Sequence, residues 1–395
     1  MWYMNDEREL VRQAARDFAE KEIRPQLQSM EIEHKYPKDL VKRMGELGFS
    51  GWPHKKAVGG SEGDWVTYGL IMEEIAKVST TMGVLLMLQT TLCSGPIAMS
   101  GTPEQQEKWL KPVFAGKKVM AVSATEPVGV AQWYDWQSRA KFDEATQEWV
   151  VDAHKIFTTG AGEADIYVIN VLTEDPDLKT GRGTSTFVLS ADTPGVGAGH
   201  IENKLGWNGS STGAMNYECR LPADALVGEA GAGMTMPPPG VIDPGGQEAM
   251  VFGPMSLGAA EGVYERALSY VKQRKRDGGT LYSNFQAVRY SLARMWLAIE
   301  QFRGYVYASL DLVDRGAFTV PQGMGAKVMG AELMQFVGKE AVMIAGGQGV
   351  IQENAFELVY RDGLVNAIGG GSNYTFLDAI SQIVTGDGPP PPPPE

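Results

Sequence analysis

A chain of 395 residues, 43% hydrophobic and 21% charged, has apolar content for more than one core, so two or three domains are expected. A formal net charge of −13 argues against nucleic acid or an anionic membrane as partner, while leaving room for a local basic pocket that takes a phosphorylated ligand. The two cysteines, Cys93 and Cys219, are far apart and without CxxC spacing, and there are four histidines; this argues against a disulfide framework or a zinc site and fits a reducing compartment.

The N-terminus, MWYMNDERELVRQ, has no basic segment followed by an apolar one, and no apolar run approaches membrane-spanning length, so a cytoplasmic protein is expected. After the Asn5-Asp6 start, Leu10, Val11, Ala14, Ala15 and Phe18 recur at helical spacing, and Pro25 is expected to end the run. Amphipathic stretches at Lys38 to Leu47, Trp65 to Ala76 and Glu104 to Phe114 complete a helical first domain, residues 1–117. From residue 118 the period becomes two. VMAVSAT, DIYVINVLT and STFVLSA are short alternating or β-branched runs, and AKFDEATQEWVVD reads as a hairpin, so an antiparallel β-domain is expected over 118–232. The Gly/Pro-rich stretch 233–246 reads as a linker. A second helical domain, 247–386, follows, with helical texture from about Gln247 to Leu312, Pro321 to Ala345, Asn354 to Asn366 and Asn373 to Val384. Residues 387–395 are a polyproline tail, expected to be disordered.

Five segments in this order, GPIAMSGTPEQQEKWLKPVFAGKKVMAVSATEP, HKIFTTGAGEADIYVI, KLGWNGSSTGAMNYECRLPADALVGEAGAGM, AGGQG and YRDGLVNAIGGGS, resemble the acyl-CoA dehydrogenase family over nearly the whole chain. The resemblance implies an α+β fold of helical N-terminal, β middle and helical-bundle C-terminal domains. It implies FAD held between the β-domain and the C-terminal helices, a proton removed from Cα of an acyl-CoA thioester, and hydride passed from Cβ to the flavin. An electron-transfer flavoprotein as acceptor and a homotetramer built as a dimer of dimers come with it.

Residue by residue, the resemblance puts Thr125 of SATEP and Thr158 of KIFTTG against the flavin ring and its N5; read alone, each threonine could simply fill a strand. Arg274 corresponds to the arginine that reaches the FAD pyrophosphate of a neighbouring subunit, although Asp277-Gly278-Gly279 stands where Phe-Gly is usual, and a solvated basic helix end is the alternative. Gly346 and Gly347 of AGGQG match the turn beside the adenosine, with Met343 where Gln is common; the turn follows helical rather than strand texture and lacks G-x-G-x-x-G spacing, which argues against a Rossmann site. Gln286 and Ser372 are the remaining cofactor positions. Ala131 and Gln132 occupy places where a serine near CoA is usual.

The family's commonest catalytic glutamate lies eight residues beyond the Arg-Asp pair, which here is Gly370. In a minority of the family, including isovaleryl-CoA dehydrogenase, the base projects from the helix after the β-domain. Glu248 then takes that role, with Ala249 where Arg is frequent and with Asp243 or Tyr374 as substitutes; a carboxylate favoured by the helix N-terminus is the structural alternative. The Gly370 N–H keeps its place as a donor to the thioester oxygen. Emptied side chains at Gly369 and Gly370 are expected to widen the acyl pocket for a branched or alicyclic chain, though Gly369 to Gly371 could equally serve a positive-φ turn. Two rival readings keep the fold: a lyase such as a desulfinase acting on a sulfinoacyl-CoA, and a degenerate subunit paired with an active homologue.

Overall fold

The computed structural model describes residues 1–130, 132–177, 181–233, 244–317 and 319–386, with backbone alone for 244–250. Most of the expected linker, the proline tail, Ala131 and Asp243 therefore lie outside the described residues, as does the side chain of Glu248. The chain runs as helices to Phe114, strands from Met120 to Val227, and helices again from Pro244 to Thr385.

The first helix, Asp6–Phe18, starts where Asn5 accepts from the Arg8 N–H at 2.8 Å. Pro25 does not end the helical path. The chain widens into a π turn at Ala19–Ile23 and tightens into a 3-10 turn at Arg24–Gln26, so the proline sits at the start of a new turn, where its missing N–H costs nothing. A second correction concerns Thr80–Ser100. Its 21 residues are long and apolar enough to cross a membrane, against the expectation of no such run, but 78% of its most apolar window is buried inside the protein. It is the centre of the N-terminal core, packed among Ile71, Leu110 and Phe114.

The middle of the chain is one sheet of β1 (Met120–Ser123), β2 (Arg139–Asp143), β3 (Glu148–Thr159), β4 (Ile166–Asp177), β5 (Arg182–Ser190), β6 (Val196–Ile201), β7 (Thr212–Pro222) and β8 (Leu226–Val227). The order is β6-β7-β3-β2-β4-β5-β8, with β1 alongside β4. The β2–β3 hairpin forms as expected. The sheet is not wholly antiparallel, because β1 and the start of β2 run parallel to β4. Its interior is closed by Trp149, Tyr167, Phe187 and Tyr217.

The third part is built on the helix Pro244–Gln273, which packs against Trp65–Val78 and Val320–Ala345. The helical run expected from Gln247 to Leu312 is broken. Asp277 and Gly278 adopt left-handed backbone, at φ 52° and 77°, and turn Lys275–Arg276 back onto Gly279–Thr280 as a small hairpin before the helix Gln286–Asp314 begins. A buried ion pair fastens these helices to the first domain, Arg303 to Glu73 at 2.7 Å; Arg303 also pairs with Glu261 at 2.9 Å within the third part, and Arg12 with Glu74 at 2.7 Å within the first.

Candidate active site

Where β1 ends, the Thr125 carbonyl accepts from the Ile156 N–H at 2.9 Å, so the SATEP and KIFTTG segments lie side by side. Beneath them Lys155 is buried on Glu126 at 2.8 Å, with its ammonium 3.8 Å from the Trp136 ring centroid. Burial pushes the lysine down to about 8. Burial also opposes charge on Glu126, but Lys155 and the Gln137 N–H outweigh it and hold that carboxyl below its ordinary value.

The pairing of β3 with β7 slips between Lys155 and Thr158. Phe157 takes φ 54° and stands 59% exposed, whereas Thr158 is 1% exposed and its hydroxyl is 2.8 Å from Ser123 Oγ, which in turn is 2.6 Å from the Tyr217 hydroxyl. Thr158 is thus buried and hydrogen-bonded within the sheet. Strand alternation turns Phe157 and the half-buried Thr159 the other way.

Arg274, Gly346 and Gly347 come together in a cleft of about 890 Å³. Arg276 joins them, so two guanidinium groups serve the same cleft. Gly346 has φ 63°, and a Cβ on either glycine would meet nothing within 4 Å: their bare backbone faces open space. Gln286 does not line the cleft, although Phe285 and Ala287 do; its side chain donates to the Tyr290 hydroxyl. None of Thr125, Thr158, Gly370 or Ser372 lines it either.

The third locus is the turn after the helix Leu358–Asn366. Gly370 and Gly371 both have left-handed backbone, φ 68° and 96°. Among the described residues no acceptor takes the Gly370 N–H. Ser372 caps the helix Asn373–Thr385 by accepting from the Thr375 N–H at 3.2 Å, which accounts for it structurally. Gly369 does not open a wider pocket. A Cβ there would lie 2.8 Å from the Trp207 ring, so the indole already fills the volume that a side chain would take.

Trp207 is itself held by a buried acid pair. Its N–H donates to Asp362 at 2.9 Å, and the next N–H, of Asn208, donates to Glu31 at 3.1 Å. Burial and the neighbouring Glu31 push Asp362 up to about 8, and burial raises Glu31 as well. Position 248 lies in the first turns of the helix Pro244–Gln273, four residues before the buried Phe252 and hence on the same helical face.

These features suit FAD: two arginines for a pyrophosphate, glycine backbone open to close approach, and an exposed aromatic ring on the β-domain for a flat apolar ring system. Sequence reasoning missed Phe157, Thr159, Arg276 and Trp207. Only Arg276, inside a visible basic run, had a signal that could have found it.

The sequence matches the acyl-CoA dehydrogenase N-terminal domain over residues 5–117, the middle domain over 121–219 and the C-terminal domain over 246–385. It is 33% identical to the short-chain specific acyl-CoA dehydrogenase of Clostridium acetobutylicum, over 93% of this chain and 95% of that one. It is also 33% identical to the caffeyl-CoA reductase-Etf complex subunit CarC of Acetobacterium woodii, over 91% and 93%. Among solved structures, butyryl-CoA dehydrogenase from Megasphaera elsdenii superposes with a TM-score of 0.89 at 29% identity, covering 97% of this chain and 99% of that one. With all three domains matched in order and relatives aligned along almost their full length, the chain belongs to the acyl-CoA dehydrogenase family of FAD-dependent oxidoreductases acting on CH–CH bonds.

Proposed function

We propose that the protein desaturates a short acyl-CoA thioester between Cα and Cβ, with Glu248 as the base and with any branch or ring accommodated beside Gly370. FAD, when bound, accepts the hydride that leaves Cβ. The residues do the rest. Arg274 and Arg276 would pair with the pyrophosphate, and the backbone of Gly346 and Gly347 would admit the adenosine portion. Because that cleft shares no residue with the Gly370 locus, it suits the cofactor of a neighbouring subunit, in keeping with a homotetramer built as a dimer of dimers. Phe157 and Thr159 would flank the flavin ring, with a hydroxyl able to donate or accept.

At the thioester, the Gly370 N–H would hold the carbonyl oxygen as Glu248 takes the Cα proton. The observation that carries this reading is that free N–H, at the turn where the usual glutamate is a glycine. Two considerations support a short chain: Trp207 fills the space beside Gly369, and two of the relatives above are named for short-chain or butyryl substrates. Electrons would leave to an electron-transfer flavoprotein, as the name of the Acetobacterium relative, a subunit of a reductase-Etf complex, suggests.

Anaerobic titration of the purified holoenzyme with butyryl-, isobutyryl-, isovaleryl- and cyclohexanecarbonyl-CoA tests this. Flavin bleaching by short or branched thioesters is expected. Bleaching by long straight chains alone would remove the pocket argument, and product formation without bleaching would bring forward the lyase.

A further inference from the structure

The Gly370–Gly371 turn rests on an unusual support. Lys327, on the helix Val320–Ala345, is fully buried, and its Nζ donates to the Gly371 carbonyl at 2.5 Å and to Asn373 Oδ1 at 3.1 Å. The same Nζ lies 5.2 Å from the Phe376 ring centroid and 6.0 Å from that of Phe252. Placing a lysine in such a position is costly, because a buried ammonium gives up its hydration. Among the described residues, two oxygen acceptors and two aromatic faces help to offset that cost.

Bracing a turn does not require a cation, since a backbone N–H or a hydroxyl would satisfy one carbonyl. What a cation adds is a fixed positive charge. The charge here lies next to the turn whose Gly370 N–H has no acceptor among the described residues, and Phe252, which Lys327 also faces, shares its helical face with position 248. The ammonium, the donor backbone and the base helix therefore converge on one locus.

We infer that Lys327 is a positioning residue for the dehydrogenation, holding the Gly370 donor in place through the Gly371 carbonyl and stabilising, through its charge, the enolate formed at that donor. This inference rests on the proposed dehydrogenase reading. When the Cα–H bond breaks, its proton goes to the base and its electron pair moves into the thioester, leaving negative charge on the carbonyl oxygen. Lys327 takes neither proton nor hydride. Its charge is in place before the reaction and needs no reorganisation as the oxygen becomes negative.

The test uses the holoenzyme with an acyl-CoA analogue carrying sulfur in place of Cβ, which can lose its Cα proton but has no hydride to give. Two readouts are taken: the pH midpoint of the analogue's deprotonation, followed by long-wavelength absorbance, and the exchange of its Cα hydrogen for deuterium, followed by mass spectrometry. Lys327→Met and Lys327→Gln should raise the midpoint by about one pH unit or more and slow exchange about tenfold or more. Measured below the wild-type midpoint, where the analogue is bound with its Cα proton, the Kd should change by less than about threefold. Lys327→Arg, which keeps the charge, should stay near the wild-type midpoint. A purely structural lysine would weaken folding or binding and leave the midpoint where it was. The inference is overturned if a folded Met or Gln variant keeps the wild-type midpoint and exchange rate, or if the Arg variant shifts as far as the neutral ones. A wild-type enzyme that exchanges no Cα hydrogen overturns the dehydrogenase reading itself, and this inference with it.

Discussion

Trp207 lies so close to Gly369 that a Cβ on the glycine would sit 2.8 Å from the indole ring. The glycine is there for the tryptophan, and the tryptophan is fixed by Asp362 through its backbone N–H. Gly369→Ala should therefore destabilise the fold by about 1–3 kcal/mol, the usual range for overpacking. Thermal unfolding of the holoenzyme checks this, and Trp207→Leu in the same chain should recover part of the loss. An unchanged melting temperature in the single variant would mean that the indole moves freely.

The acid pair behind Trp207 predicts a pH dependence. Asp362 titrates near 8 in the folded protein, against an ordinary value of 3.8, with burial as the main cause and Glu31 next; the Trp207 N–H, Arg361 and Thr80 act in the opposite sense. Between those values the folded state keeps a proton that the unfolded chain has released. Stability from this group is therefore fully present below about pH 4 and is lost as pH rises toward about 8. Asp362→Asn still accepts from Trp207 but does not titrate, so it should flatten this part of the stability profile. Urea unfolding between about pH 5 and about pH 8 measures the difference in slope, and identical slopes would sink the assignment.

Two adjacent threonines should behave differently. Thr158→Val takes a buried hydroxyl away from Ser123 and should cost about 1–2 kcal/mol of stability with little change in the flavin spectrum. Thr159→Val should unfold as the wild type does but shift the flavin absorbance and slow turnover. The reverse pattern would put Thr158 rather than Thr159 at the cofactor.

Arg274→Gln and Arg276→Gln should each weaken FAD binding about ten- to a hundredfold, since each removes a charge-assisted hydrogen bond to phosphate. Reconstitution of the deflavinated protein, followed by flavin fluorescence, gives the affinities. Should only one variant lose affinity, that arginine alone serves the pyrophosphate.

Glu248→Gln should keep FAD and acyl-CoA binding while flavin reduction falls by about two to four orders of magnitude. Stopped-flow reduction at saturating substrate measures it. Wild-type reduction rates would move the base elsewhere, and Tyr374, 84% exposed in the single chain, is the described candidate.

The sequence by itself determined the three-part order and the family, because both are written in local quantities: a period near four, then a period of two, then a period near four, with short motifs between. It also marked Arg274, Gly346, Gly347 and Gly370 as candidates, because residue type alone singles them out. What it could not determine was which way the β3 threonines point. Trp149, Val151, Ala153 and Lys155 alternate inward, a parity that sends residue 158 outward, but one extra residue at the β3–β7 bulge reverses it. A bulge is a property of pairing between strands far apart in sequence, so no window of the chain contains it. The same holds for the emptied volume at Gly369, which is filled from a loop 162 positions away in the chain (369 minus 207). It holds also for Lys327, whose helical spacing marks only a core-facing position. Distant segments decide what meets a buried group, and here they brought a cation to the turn where the usual carboxylate is missing.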